Sequence, residues 1–153
     1  MSAQLYHEQL VALAKRATGS GRLHDADVSV RVDNPLCGDE VTVDATFAQG
    51  QLQSIGHRVR GCLLCEAAAS WMSEHGVGQT EQDVTRVFSD LESLLKTGEL
   101  RVPSVWPNTD VFAPVHAAKS RHRCILLPLE GLLAAMREQG AKHAHSTPTS
   151  NGD

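Results

Sequence analysis

The spacing of apolar residues first predicts a helix and then a series of strands. In residues 3–16 apolar positions recur at helical spacing, and Gly19 and Gly21 end the pattern, which indicates an amphipathic helix. The following segments alternate apolar and polar residues, as strands with one buried face do. These segments are residues 28–32, 41–47 and 55–59. The short turn at Gly50 favours a hairpin between the last two, so an antiparallel meander is the simplest topology.

After Gly61 the apolar spacing returns to that of helices. Residues 62–75 are rich in alanine and predict a second helix. Thr80, followed three residues later by Asp83, has the pattern of a capping box and opens a third helix, which Gly98 closes. The apolar stripe of this third helix consists of Val84, Val87, Phe88, Leu91, Leu94 and Leu95.

The remainder of the chain predicts a long connection, a last helix and a tail. Residues 99–119 contain three prolines and predict a connection with a short helix near its end. Residues 125–137 predict the last helix, with Pro128 in the first turn, where a missing N–H is tolerated. We therefore expect one domain over residues 1–138 and a disordered polar tail over residues 139–153.

Composition narrows the classes of function. The chain has 153 residues, of which 41% are hydrophobic, and a formal net charge of −4. A nucleic-acid surface would need a basic face to neutralise phosphates, so we expect no nucleic-acid partner. The apolar stretches are far shorter than the ~20 residues of a membrane span, and the first ten residues carry no basic, apolar leader. We expect a cytoplasmic protein that does not bind membranes.

Four cysteines carry the candidate chemistry. Because stable disulfides are rare in a reducing cytosol, these residues are expected to be buried, reactive or metal-bound. Cys37 and Asp39 fall in the predicted turn between the first two strands, Cys62 begins a helix directly after a strand, and Cys124 directly precedes the last helix. These boundary positions favour metal or sulfur chemistry. The alternatives are that some of the cysteines are core residues and that Asp39 caps a turn.

The predicted surroundings of Cys62 and Cys124 favour ionised thiols. Helix N-termini lower the pKa of a thiol, Arg60 adds positive charge beside Cys62, and Arg121 and Arg123 add it beside Cys124. The thiolate is both the metal ligand and the sulfur nucleophile. Three thiolates and a carboxylate can complete a tetrahedral zinc site or hold an iron–sulfur cluster, so spacing leaves these uses open.

Several other residues have two interpretations. Cys65 lies one helical turn after Cys62, where it is either a redox partner or alternative ligand, or a small residue packed beneath the site. We favour packing, because no βαβ pattern surrounds this C-x-x-C sequence. His122 is two residues from a cysteine and is expected at the surface or behind the ligands. His143 and His145 form an adventitious metal pair at most.

Three motifs together resemble one family. N-P-x-C-G-D spans residues 34–39, G-C-x-x-x-x-A-x-x-S-x-M spans residues 61–72, and R-x-x-C spans residues 121–124. In this order they resemble the iron–sulfur scaffold family of IscU and the N-terminal domain of NifU. The long connection and the sequence I-L-L-P-L-E-G-L after it resemble the SufU branch. The resemblance implies an α+β fold, a three-stranded antiparallel sheet packed with helices.

The resemblance also implies a site and its chemistry. The matching positions place the metal ligands at Cys37, Asp39, Cys62 and Cys124. In IscU-type proteins such residues assemble a [2Fe–2S] cluster with sulfur from a cysteine desulfurase. In SufU-type proteins they bind Zn²⁺, and the protein accepts persulfide sulfur. We therefore expect a zinc-dependent sulfur acceptor, with Cys37 or Cys124 taking the sulfur, and with a desulfurase and apo iron–sulfur proteins as partners. The alternatives are a [2Fe–2S] scaffold or carrier without sulfur transfer and a structural zinc domain.

Departures from the family pattern separate this chain from IscU itself. Arg123 stands where the IscU type has histidine, and the chaperone-docking motif L-P-P-V-K is absent from the sequence. Cys65 stands where relatives carry serine. Cys65 is therefore a candidate for an auxiliary role at the site. Arg121, the first residue of the R-x-x-C motif, is another.

Overall fold

Three strands and four α-helices make up the part of the chain that the structure describes. The computed structural model describes residues 3–100 and 105–146, with side chains over residues 7–100 and 105–142. The elements are α1 (Ala3–Arg16), β1 (Val28–Asn34), β2 (Asp39–Ala48), β3 (Gln51–Arg60), α2 (Leu63–Gly76), α3 (Glu81–Thr97) and α4 (His122–Ser146). Two 3-10 segments, Thr109–Ala117 and Lys119–Arg121, precede α4. None of the described helices is both long and apolar enough for a membrane crossing.

The strands form the predicted antiparallel meander, in the order β1-β2-β3. Val28 faces Ala45 across the first pair, and Val41 faces Val59 across the second. Gln49 and Gly50 connect β2 and β3 with φ values of 55° and 78°. Two consecutive residues in this left-handed region match the right-handed twist of a tight hairpin. The predicted α+β fold class is confirmed.

The helices pack on one face of this sheet and on one another. Val41, Val43 and Ala45 of β2 are fully buried beneath α4. A Cβ atom on Gly131 would lie 2.8 Å from Cγ2 of Val43, so glycine lets α4 approach the sheet closely. The alanines of α2 are buried, because their small side chains let this helix pass between α1 and α4.

The predicted capping box of α3 is confirmed. The N–H of Asp83 donates to the hydroxyl of Thr80 at 3.2 Å, and the N–H of Thr80 donates to the Asp83 carboxylate at 3.0 Å. The helix ends at Gly98, whose φ of 79° allows its N–H to reach the carbonyl of Leu94. Five of the six residues of the predicted stripe are buried, while Phe88 is half-buried against the core.

The last helix is longer than predicted at both ends. α4 begins at His122, so Cys124 lies in its first turn and Pro128 lies in its interior. The helix also crosses the predicted boundary after residue 138, which makes residues 139–146 helical rather than a disordered tail. One glycine costs about 1 kcal/mol in a helix, too little to stop a segment rich in helix formers. Residues 147–153 of the predicted tail lie outside the described residues.

The long connection packs on the core instead of extending from it. The rings of Trp106 and Phe112 meet the ring of Trp71 edge-on, with centroids 5.1 and 5.3 Å away. The indole N–H of Trp71 donates to the carbonyl of Pro107 at 2.9 Å. The predicted short helix corresponds to the 3-10 segments, while residues 101–104 of the predicted connection lie outside the described residues.

Candidate metal centre

Asp39 begins β2 and points its carboxylate at the end of β3. The side chain is buried. A Cβ atom on Gly61 would lie only 2.7 Å from Oδ1 of Asp39, so glycine at this position leaves the space that the carboxylate occupies. The sequence motif contained Gly61, but its function as an opening for Asp39 could not be inferred from spacing.

Cys62 is the N-cap residue of α2, as its predicted boundary position implies. Its side chain makes no capping hydrogen bond and is directed instead toward Asp39, with Sγ 4.0 Å from Oδ2. The backbone of Cys62 is fixed by its carbonyl, which accepts the N–H of Glu66 at 3.1 Å. The thiol is therefore held at the start of the helix with its sulfur facing the Asp39 carboxylate.

Cys124 completes a group of three ligands. Its side chain lies in the first turn of α4 and is 1% exposed. The ligand atoms of Asp39, Cys62 and Cys124 lie within 4.8 Å of one another, and no other such group of three occurs among the residues described. Ligand atoms around a tetrahedral zinc ion are about 3.3–3.8 Å apart, so modest side-chain movements would let these three bind one ion. The donor set fits zinc or iron.

Cys37 lies outside this group, on the exposed turn between β1 and β2. Its Sγ is 3.9 Å from the carbonyl oxygen of Ser120, just before α4. The carbonyl of buried Asn34 accepts the N–H groups of Cys37 and Gly38 at 3.1 and 2.8 Å, which fixes the turn. Sequence reasoning did not single out Asn34, although asparagine before proline is a known signal for the start of a turn. The structure thus gathers three of the four predicted ligands and leaves Cys37 outside the group.

The electrostatics of Cys124 differ from the prediction. Burial raises the pKa of the Cys124 thiol, and Asp39 and Cys62 raise it further. These effects outweigh the helix N-terminus, and Arg123 pairs with Glu130 at 3.2 Å instead of with the thiol. The expectation that the helix N-terminus and the neighbouring arginines favour the thiolate of Cys124 was wrong. A bound dication would reverse this balance, because it stabilises thiolates directly.

Arg121 provides positive charge at the rim of the site. Hydrogen bonding to Cys62, with smaller contributions from Cys124, raises the pKa of the Arg121 guanidinium. The side chain is exposed, so it can reach the sulfurs and also move away from them. An auxiliary role for Arg121 remains a prediction, now with a physical basis in these contacts.

The remaining candidates point elsewhere. Cys65 is fully buried in the hydrophobic core, and burial raises the pKa of its thiol. This agrees with the packing interpretation. Nε2 of His122 bonds the carbonyls of Val115 and His116, both at 3.0 Å, so the ring fastens the 3-10 segment and does not face the ligands.

Comparisons with known proteins show the family of the chain. The family described as the NifU-like N terminal domain matches residues 5–113. The iron–sulfur cluster assembly scaffold protein IscU of Thermotoga maritima is 24% identical over 134 residues, covering 88% of this chain and 94% of its own. The IscU of Streptococcus pyogenes is 23% identical over 140 residues, covering 91% of this chain and 87% of its own.

Solved structures show the same fold. The N-terminal NifU-like protein of Brucella abortus superposes with a TM-score of 0.83 at 25% identity, over 90% of this chain and 95% of its own. A protein assigned to cluster assembly in the SUF system of Fervidobacterium islandicum superposes with a TM-score of 0.78 at 24% identity, over 89% and 99% of the two chains. The predicted family is confirmed: the chain belongs to the NifU-like N-terminal domain family, which includes the IscU scaffolds.

Proposed function

We propose that this chain is an iron–sulfur cluster assembly scaffold of the SufU-like type, acting in the cytoplasm with a cysteine desulfurase. The observation that carries the proposal is the group of Asp39, Cys62 and Cys124, held by β2, α2 and α4. This donor set suits Zn²⁺ in the resting protein, with Cys37 as the fourth ligand. Zinc bound there would hold the thiols ionised and orient them.

The position of Cys37 favours it as the first sulfur acceptor. Its thiol is exposed, whereas that of Cys124 is 1% exposed and reachable only through movement of its surroundings. The Cys37 thiolate attacks the terminal sulfur of a desulfurase persulfide, a new S–S bond forms, and the donor sulfur–sulfur bond breaks. The desulfurase cysteine leaves as a thiolate. Cys124 is the second candidate acceptor, and the product passes to apo iron–sulfur proteins.

Arg121 fits this exchange as a mobile counterion. Three thiolates and a carboxylate carry more negative charge than one dication neutralises, and the guanidinium of Arg121 offsets part of the excess. Departure of Arg121 would free a sulfur for reaction. Neutralising and then releasing a thiolate is the auxiliary role that we propose for Arg121.

Single cysteine variants test the proposal. We expect Cys62→Ser and Cys124→Ser to lower zinc affinity by at least about tenfold, because each removes a ligand. Cys37→Ser should lose the added sulfur detected by mass spectrometry after incubation with the desulfurase and cysteine. Cys65→Ser, which removes a thiol outside the ligand group, is the matched control and should retain both properties.

The proposal is wrong if the protein lacking Cys37, Cys62 and Cys124 still binds one zinc per chain and still stimulates the desulfurase. The second candidate is a [2Fe–2S] scaffold or carrier without sulfur transfer, which the same donor set and the curated scaffold relatives support. It predicts a cluster formed from iron and sulfide alone, transferred to an apo-acceptor, with no persulfide on any cysteine. A structural zinc domain would bind zinc but would neither transfer a cluster nor accept sulfur.

A further inference from the structure

Two leucine side chains are exposed directly beside the candidate ligands. Leu36, which precedes Cys37, is 94% exposed, and Leu63, which follows Cys62, is 40% exposed. Among the residues that the structure describes, the other exposed large apolar side chains are those of Val77 and Val105. Single exposed apolar residues are common on protein surfaces, so the meaning of this pair depends on its position.

Leu36 is held outward by an ordered turn. Its N–H donates to the side-chain oxygen of Asn34 at 3.3 Å, and the carbonyl of Asn34 accepts the N–H groups of the next two residues along the chain. The ring of Pro35 fixes a further backbone angle between them. Because this backbone is already ordered, burying Leu36 against a partner costs less conformational entropy than burying a side chain on a mobile loop.

One row of contacts runs across the site from one leucine to the other. Sγ of Cys37 is 3.9 Å from the carbonyl oxygen of Ser120, and the next residue, Arg121, hydrogen-bonds to Cys62. Consecutive Cα atoms are about 3.8 Å apart, so each leucine lies one residue from an end of this row. The two leucines therefore flank the thiols at one end of the molecule.

The same end of the molecule carries exposed positive charge. We call Arg60, Lys119 and Arg121 the cationic rim; all three side chains are exposed, and Arg60 lies two residues before Cys62. None of the ion pairs between side chains in the described part of the chain includes a residue of the cationic rim. An apolar pair beside a cationic rim is complementary to a surface that is apolar and bordered by acidic groups.

We propose that Leu36 and Leu63 anchor the cysteine desulfurase while its persulfide reaches Cys37. This inference rests on the proposed function and assigns the surface that its partner contacts. Reacting atoms have to approach to within about 3.5 Å, so the donor protein has to cover the residue next to Cys37. Leu36 then leaves water, which favours the complex. The cationic rim attracts acidic groups at the border of the contact and speeds association.

Alanine variants test the two anchors. The zinc-loaded full chain is titrated with the cysteine desulfurase of the same organism by isothermal titration calorimetry. We expect Leu36→Ala to raise the dissociation constant about fivefold or more, and Leu63→Ala, at a less exposed position, to raise it about twofold to fivefold. Val77→Ala is the matched control and should leave the constant unchanged, because Val77 is exposed at the far end of α2, about 20 Å from Cys62.

A second measurement separates docking from chemistry. In assays of alanine release by the desulfurase, Leu36→Ala should raise the concentration of this chain that gives half-maximal stimulation by the same factor. The maximal rate should stay unchanged, because Leu36 touches none of the reacting atoms. Zinc affinity and sulfur uptake from inorganic polysulfide, which needs no protein partner, should also stay as in the native chain.

Charge reversal tests the cationic rim. Arg60→Glu and Lys119→Glu should each weaken binding about threefold or more at 50 mM NaCl and lose most of this effect at 500 mM, because salt screens exposed charges. Arg86→Glu changes the net charge equally at an exposed position of α3 and should have little effect. Equal binding by all three variants at low salt would overturn the role of the rim.

Three results would overturn the anchors. The first is Leu36→Ala binding the desulfurase as tightly as the native chain does. The second is self-association of the native chain, measured by analytical ultracentrifugation and abolished by Leu36→Ala, which would assign the surface to a second copy. The third is a native chain that binds zinc but neither binds nor stimulates the desulfurase, and this result alone would also overturn the proposed function.

Discussion

Asp44 shows how one buried charge fastens the loop after α1 to the sheet. Its side chain is fully buried in β2 and accepts from Nε and an Nη of Arg22 at 2.6 and 3.1 Å. It also accepts from the hydroxyl of Ser29 at 2.6 Å and from the N–H of Leu23 at 3.0 Å. Burial alone raises the pKa of Asp44, but these donors outweigh it and hold the pKa below its ordinary value.

This network makes stability depend on pH. Because the pKa of Asp44 is lower in the folded than in the unfolded chain, its contribution is complete above the ordinary aspartate pKa of about 3.9 and is lost as pH falls through the folded-state pKa. At pH 7 we expect Asp44→Asn to lower the free energy of unfolding by about 1–3 kcal/mol, since asparagine cannot receive all four donors. Urea unfolding at pH 7 and at pH 3 should show the difference between the two proteins shrinking in acid.

Asp25→Asn is the matched control, because Asp25 is exposed in the same loop and should change stability by less than about 0.5 kcal/mol. A difference between Asp44→Asn and the native chain that stays constant with pH would contradict the role given to the carboxylate charge.

The residues of the candidate metal centre were identified from sequence, but their arrangement was not. The boundary positions and the family motifs identified Asp39, Cys62 and Cys124, which the structure brings together. Spacing placed Cys37 in a turn but could not show that its thiol stays outside the group of three, because turn geometry depends on backbone hydrogen bonds to Asn34. It also could not show that burial, more than the helix N-terminus, sets the pKa of Cys124.

At the scale of elements, the extension of α4 past residue 138 has a measurable consequence. Gly140 is helical, and nothing lies within 4 Å of the Cβ atom it would gain. Gly140→Ala should therefore raise the free energy of unfolding by about 0.5–1 kcal/mol, because alanine loses less conformational entropy in a helix. Chemical denaturation measures this change. No change in stability would indicate that residues 139–146 do not fold with the domain.

The elements that could be predicted are those with a strong local signal. The two-residue alternation fixed the strands, and the Thr80–Asp83 box and Gly98 fixed both ends of α3. The ends of α4 had no such signals. Its start follows a 3-10 turn, and its last turns are held by a distant contact, the donation from Nζ of Lys142 to the carbonyl of Asp27 at 2.8 Å. Tertiary contacts of this kind leave no periodic trace in sequence.

At the scale of the whole molecule, the candidate ligands connect three elements that are distant in sequence. An ion bound by Asp39, Cys62 and Cys124 would cross-link β2, α2 and α4, so metal binding should stabilise the entire fold. At free zinc about 1,000 times the dissociation constant, the free energy of unfolding should rise by about 4 kcal/mol. Thermal unfolding with zinc and with a chelator measures this, and Cys62→Ser should lose the increment.

The same stabilisation should weaken in acid. The raised pKa of Cys124 means that its thiol is protonated at neutral pH without metal, and zinc must displace that proton. Zinc affinity should therefore fall as the pH decreases from 8 to 6, and zinc addition should release protons into a weakly buffered solution. A zinc-induced shift in Tm that is equal at both pH values would contradict this expectation.

The interval between Cys62 and Cys124 also sets an order of events during synthesis. A growing chain releases β2 and α2 well before the ribosome has made α4. Until then the candidate site lacks Cys124, so we expect the nascent chain to bind an ion less firmly than the finished domain does. Firm binding would then require that translation has passed through the last helix.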